Sequence, residues 1–177
     1  MLQNCSLWRT ACEFFREPVK QHYLMEISKT TKTAHTSVKN NLNKLVKLNV
    51  IKKSSETKGK RKFPFYKSNL DSEEYKKFKK IYNLASLFEL AGFLNDSLMP
   101  KCIVLFGSYQ RGEDTEESDI DLFIECKRKD VELSRFEKQL KRKIQLHFNE
   151  NFTSLPNEMK NNIINGVVLK GFLEGYK

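Results

Sequence analysis

Asp119 and Asp121 stand two residues apart in the run Asp119-Ile120-Asp121-Leu122-Phe123-Ile124, where charged and apolar residues alternate with the period of a β-strand. A strand places both carboxylates on one face, about 7 Å apart along the backbone. Held so close they repel, unless a cation sits between them. A hard divalent ion such as Mg²⁺ takes one or two carboxylates and completes its shell with phosphate oxygens and water. Upstream, the apolar β-branched run from Cys102 to Phe106 breaks at Gly107-Ser108, a strand feeding a turn. Glycine lets a backbone come close to a phosphate, and Ser108, at the predicted start of a short helix, can donate from its hydroxyl and amide to an anion. Together these residues suit a nucleoside triphosphate held at the Gly-Ser turn and joined through metal to Asp119 and Asp121.

The order Gly107-Ser108, Arg111-Gly112, then Ser118-Asp119-Ile120-Asp121-Leu122 resembles the signature of the polymerase β nucleotidyltransferase superfamily, in particular its minimal nucleotidyltransferases. The resemblance implies a small mixed sheet with flanking helices. It also implies Asp119 and Asp121 as catalytic metal ligands, with two Mg²⁺ ions, and Gly107, Ser108 and Arg111 as contacts to a nucleoside triphosphate, ATP being the expected one. Such enzymes transfer a nucleoside monophosphate to a hydroxyl of a protein, small molecule or nucleic acid. In the superfamily a third carboxylate stands on the next strand; here the aligned position is Gln145, which cannot take a proton near neutral pH. His147 and Glu125 project from the same strand faces as these groups and could substitute, or two metals could activate the acceptor without a dedicated base. Lys143, beside that strand, could join Arg111 in neutralising phosphate charge.

The elements that must position this site begin far upstream. Of 177 residues, 32 are Lys or Arg and 22 Asp or Glu, a formal net charge of +10. Residues 1–70 hold 15 basic and 4 acidic side chains, so the whole excess lies there. That asymmetry predicts a basic module for a polyanion joined to a near-neutral domain. Leu7 to Phe15 has helical apolar spacing, Tyr23 to Thr30 a shorter amphipathic pattern, and Val38, Leu42, Leu45 and Val46 mark one face of a longer helix. Val50-Ile51 reads as a short strand, 54–62 as a polar turn around Gly59, and Phe63 to Tyr66 as the return strand. This order resembles a winged helix-turn-helix, with Lys32 where a turn glycine is common. The resemblance implies Ser37, Lys39, Asn40, Asn41, Asn43 and Lys44 as groove-facing residues, and Lys58, Lys60, Arg61 and Lys62 as phosphate contacts on DNA. A homodimer is compatible with this fold.

Asp71 and Glu74 predict a capped helix over 72–95, apolar nearly all round from Leu84 to Leu94. Beyond Cys126 the pattern gives a helix over 130–141, a strand over 144–148, a helix opened by Pro156 and an apolar tail at Val167-Val168-Leu169. The expected class is α+β: a winged helix-turn-helix over 1–70, a connecting helix over 71–98 and a nucleotidyltransferase domain over 99–177. No apolar run is of membrane-spanning length and the first ten residues lack the pattern of a leader, so the expectation is a cytoplasmic protein with no membrane partner. Cys5, Cys12, Cys102 and Cys126 show no paired spacing; Cys102 and Cys126 are expected as buried thiols. Two functions remain open: a Mg²⁺-dependent nucleotidyltransferase with a DNA-binding module, or a DNA-binding regulator or antitoxin-like protein whose degenerate nucleotidyltransferase fold senses nucleotide.

Overall fold

The computed structural model describes residues 5–175, with Lys58 described through its backbone alone. The chain divides into two compact units, the first ending at Lys79 and the second beginning at Lys80. The first comprises α1 (Ser6–Arg16), α2 (Leu24–Thr31), α3 (His35–Lys47), β1 (Ile51–Lys58) and β2 (Arg61–Ser68). Its apolar faces meet in a core that includes Phe14, Phe15, Ile27, Val38 and Leu42, each at most 1% exposed. Lys32 ends α2 in the left-handed conformation at φ 49°, the geometry that a glycine would take more cheaply. Ser28 Oγ donates to the Thr33 carbonyl at 2.6 Å and ties that turn back to α2.

Two expectations for this unit are corrected. The hairpin pairs without a break from Ile51–Ser68 to Lys58–Arg61, so the turn is only Gly59-Lys60 and not the whole of 54–62. Most of these strand residues are exposed, so no apolar alternation marked them. A further bridge joins His22 to Tyr66. Asn41 does not face a groove: it is buried, and its amide donates to Thr10 Oγ1 at 3.1 Å.

The helix expected over 72–95 is two helices, α4 (Glu73–Ser86) and α5 (Phe88–Leu98). At the break the Leu87 amide turns to the Leu84 carbonyl, and Ser86 Oγ donates to the Asn83 carbonyl at 2.7 Å, so the turn tightens. Among the described residues no helix is long and apolar enough to cross a membrane.

The second unit is built on a four-stranded sheet, in the order β5-β4-β3-β6. Its strands are β3 (Cys102–Phe106), β4 (Ile120–Glu125), β5 (Ile144–Asn149) and β6 (Val167–Gly171). β3 runs antiparallel to β4 and β6, and β4 parallel to β5. The helices are α6 (Gly107–Arg111), α7 (Ser134–Leu140) and α8 (Asn157–Ile164), with a 3₁₀ turn over Phe152–Ser154. Strand alternation divides the core in two. Ile103, Leu105, Leu122, Ile124 and Ile144 pack with α5 and with Phe136 of α7. Cys102, Val104, Phe106 and Phe123 pack with Phe152, Leu155 and Ile163 on the opposite face. Cys102 is buried as expected, whereas Cys126 is only half-buried, just past the end of β4.

A polar cluster anchors the loop between α6 and β4. Asp114, 1% exposed, accepts from Asn83 Nδ2 at 2.7 Å and lies 3.8 Å from Nη2 of Arg142, itself nearly sealed from solvent. The same Asn83 amide reaches the Tyr109 carbonyl at 2.8 Å. Ser118 Oγ accepts from the Thr115 amide at 2.9 Å and closes the loop immediately before Asp119. Removing one partner of a buried ion pair strands the other charge, at a cost of about 3 kcal/mol or more. An exposed pair such as Arg111–Glu113 is worth about 1 kcal/mol at most. Asp114→Ala is therefore expected to lower the stability of the second unit by about 3 kcal/mol, and Glu113→Ala by less than 1. Hydrogen exchange of the β3 and β4 amides measures both, and equal protection in the two variants would contradict the role given to Asp114.

Candidate active site

The site forms where β3 ends and β4 begins. Phe106, the last residue of β3, pairs with Asp121, so the chain leaves β3 directly beside that carboxylate. Gly107 makes the exit at φ +78°, and a Cβ placed there would meet Asp121 Oδ2 at 2.6 Å. Glycine is thus favoured twice, for its conformation and for leaving Asp121 its place. Helix α6 follows for a single turn and Gly112 closes it at φ 70°. Ser108 is half-buried at the start of that turn, and its carbonyl accepts from the Glu113 amide at 3.0 Å. Arg111 lies exposed, its Nε donating to Glu113 Oε2 at 2.8 Å.

Asp119 immediately precedes β4, where the Ile120 amide donates to the Lys143 carbonyl at 2.8 Å. The parallel pairing of β4 with β5 sets Gln145 opposite Asp121 and His147 opposite Phe123. Gln145 Nε2 donates to Asp119 Oδ2. His147 Nε2 stands 3.2 Å from Asp121 Oδ1, and the His147 ring packs on Phe106 with centroids 5.2 Å apart. The Asp121 and His147 side chains are 27% and 31% exposed, so this end of the sheet face is open to a ligand. Further along the same face the 3₁₀ turn covers Phe123 and draws Glu125 inward. Glu125 is 5% exposed, accepting from the Phe152 amide at 3.3 Å and from Cys102 Sγ at 3.4 Å. It holds the turn in place and does not reach the aspartates' end of the face as a substitute acid.

Of the residues singled out in the sequence, Asp119, Asp121, Gly107 and Ser108 gather at one strand end. Lys143 is highly exposed, with Nζ 3.7 Å from Glu137 Oε2. An open cleft of about 560 Å³ borders Asp119 and is lined by both acidic and basic residues, Glu116, Glu117, Lys138, Lys141 and Lys143 among them. The remaining candidates belong to the first unit. Ser37, Lys39, Asn40, Asn43 and Lys44 are exposed on α3, and Lys60, Arg61 and Lys62 are exposed at the hairpin tip. The side chain of Lys58 lies outside the described residues. Sequence reasoning missed Asn83, Asp114 and Arg142, whose types carry no motif and whose positions are far apart in the chain.

Among the described residues no group of three or more His, Cys, Asp and Glu side chains is gathered closely enough to hold a metal ion. Two carboxylates on one open face still fit a hard divalent cation that takes its remaining ligands from phosphate and water. Neither Gln145 nor His147 brings the fixed positive charge of a Lys or Arg to balance them. Gly107→Ala is expected to push the Asp121 carboxylate off the turn, weakening divalent-cation binding at least tenfold while the sheet stays folded. Calorimetric titration beside a circular dichroism melt tests this, and unchanged binding in a folded variant would contradict the close approach.

Comparison with known proteins agrees with this geometry. Residues 89–171, a little under half of the chain, match the family described as Polymerase beta, Nucleotidyltransferase. A protein of Methanocaldococcus jannaschii, provisionally named a protein adenylyltransferase, is 62% identical over 32 residues. That stretch is 18% of this chain and 32% of the relative, so the chain spans about a third of the length of the curated relative it matches. No solved structure matches the chain. The Gly-Ser turn, the paired aspartates and the mixed sheet all lie inside the segment that is similar to the polymerase β nucleotidyltransferase family.

Proposed function

We propose that the second unit transfers a nucleoside monophosphate from a nucleoside triphosphate, ATP in this reading, to a hydroxyl acceptor. The observation that carries this reading is the seating of Asp121 against the Gly107 turn, with Asp119 just before the same strand. An acceptor oxygen attacks the α-phosphorus, a new P–O bond forms, the bond to the β-phosphate oxygen breaks, and pyrophosphate leaves. Asp119 and Asp121 would hold Mg²⁺, two ions in the full site, and the bound metal would neutralise the charge that builds on the phosphates. Gly107 and Ser108 receive the phosphates, where a side chain at 107 would stand in the way. Arg111 is exposed at the end of the single-turn helix that begins at Gly107, and would supply positive charge to the phosphates once it leaves Glu113. With Gln145 in the place of an acid, the acceptor's proton passes to solvent, and the amide keeps Asp119 oriented. The provisional name of the archaeal relative favours a protein side chain as the acceptor, such as a Ser, Thr or Tyr hydroxyl.

For the first unit we propose a winged helix that binds DNA. Its three helices and hairpin, the left-handed turn at Lys32 and the basic excess support that reading. Exposed Ser37, Lys39, Asn40 and Lys44 would read bases, and Lys58, Lys60, Arg61 and Lys62 would contact phosphates. A symmetric homodimer would suit a palindromic site. Gln145 favours a second reading of the whole chain, a DNA-bound regulator that senses nucleotide without transferring it.

The test of transfer is incubation with Mg²⁺ and each α-phosphate-labelled nucleoside triphosphate, with cell extract as the acceptor pool. Label should move to an acceptor with the natural chain and fall at least a hundredfold with Asp119→Ala/Asp121→Ala. Label that moves equally well with both would overturn the reading, and metal-dependent nucleotide binding without transfer would establish the sensor. Binding to duplex DNA should weaken steeply with salt, by about 0.9 in log-log slope for each phosphate contacted. Neutralising Lys60, Arg61 and Lys62 together should flatten that slope by about 2 to 3, whereas a flat salt dependence of the natural chain would exclude DNA binding.

A further inference from the structure

Across the face that carries the two aspartates, the third donor is a nitrogen. Gln145, opposite Asp121 on β5, points its amide nitrogen at Asp119, and a donating N–H has no lone pair to offer a cation. The next residue on that face is His147, with Nε2 3.2 Å from Asp121 Oδ1. The two side chains hydrogen-bond to each other here, and two ligands at right angles on a cation with bonds of about 2.1 Å lie about 3 Å apart, so the same spacing suits neighbouring ligands on one ion. The Phe106 ring holds the imidazole in place from the side, and the His147 side chain remains 31% exposed. Glu125, the other titratable group on this face of β4, is committed to the Phe152 amide and does not compete.

We propose that His147 and Asp121 form a mixed nitrogen and oxygen pair that binds a divalent metal, and that the pair prefers Mn²⁺ to Mg²⁺. Mg²⁺ takes oxygen donors and dehydrates reluctantly, whereas a nitrogen donor suits the first-row transition ions, a series that Mn²⁺ opens as its weakest binder and the one closest to Mg²⁺ in its taste for carboxylate. Phosphate oxygens and water complete the shell, and Asp119, held by the Gln145 amide, stands at the strand start outside this pair. The proposal rests on the nucleotidyltransferase reading for its purpose but not for its chemistry.

The experiment uses the full chain and metal alone. Mn²⁺ binding is followed by electron paramagnetic resonance, Mg²⁺ by competition, and nitrogen coupling to bound Mn²⁺ by electron spin-echo modulation. The natural chain should bind Mn²⁺ at least tenfold more tightly than Mg²⁺, with an imidazole nitrogen coupled to the ion. His147→Ala should lose the coupling and most of that preference. His147→Asp, which offers oxygen, should restore binding with the preference shifted toward Mg²⁺, a result that a merely structural His147 would not give. Thermal melts confirm that the variants fold. Mn²⁺ bound without nitrogen coupling, or the same preference in all three proteins, would overturn the proposal. Label transfer that is indifferent to His147 and to the choice of metal would overturn it and leave the transferase standing. Coupled Mn²⁺ with no label transfer under either metal would support it while removing the transferase.

Discussion

The pairing of Phe106 with Asp121 across β3 and β4 is the constraint on which the site depends. It brings the exit of one strand beside a carboxylate on the next, and any side chain at 107 would have to displace that carboxylate and accept a strained backbone. The register is held by packing on both faces. Ile120, Leu122 and Ile124 are buried with α5 and α7, and Phe123 is buried under the 3₁₀ turn and α8. A slip of one residue would drive Asp121 into the apolar layer and lift Leu122 into solvent. The core therefore enforces the position of the carboxylates, although it contacts neither of them as a ligand would.

The same sheet face is finished in two different ways along its length. Toward Glu125 it is sealed, with the acid spent on the Phe152 amide. Toward Asp121 it is open, and the polar side chains of β5, Gln145 and His147, meet the aspartates there. The open, carboxylate-bearing part of the face is thus confined to one end of the sheet by the reach of a short turn. The loop that delivers Asp119 is fixed by Asp114, buried with Asn83 and Arg142. The first unit has a different electrostatic character, since it holds the chain's whole basic excess on α3, the hairpin and their surroundings.

Much of this was legible in the sequence, where local chemistry and periodicity coincide. The apolar run ending at Gly107 and the alternation through Asp119 and Asp121 carry strand, turn and carboxylate face in consecutive residues. The mixed sheet and the helices on either side followed from the same patterns. What was hidden depends on pairing between distant residues. The hairpin of the first unit extends to Gly59 because backbone ladders form between exposed polar residues that show no alternation. Asn41 has the type of a surface residue and is buried by Thr10, 31 positions away. The break at Leu87 comes from a serine that bonds its own helix, a signal too common to read alone. Glu125 shares the periodicity of the aspartates, yet a turn some 27 residues later claims it. His147 was visible as a same-face neighbour of Gln145, but its approach to Asp121 required the parallel register of β4 and β5.

The central claim is that Asp119 and Asp121 form a metal-dependent nucleotide site against the Gly107 turn. Calorimetric titration of the full chain with a non-hydrolysable ATP analogue, with and without a divalent cation, tests it most directly. Binding should require the cation in the natural chain and disappear in Asp119→Asn/Asp121→Asn, which keeps the shape of both side chains and removes their charge. Nucleotide that binds equally well without the cation, or to the doubly neutralised chain, would contradict the claim.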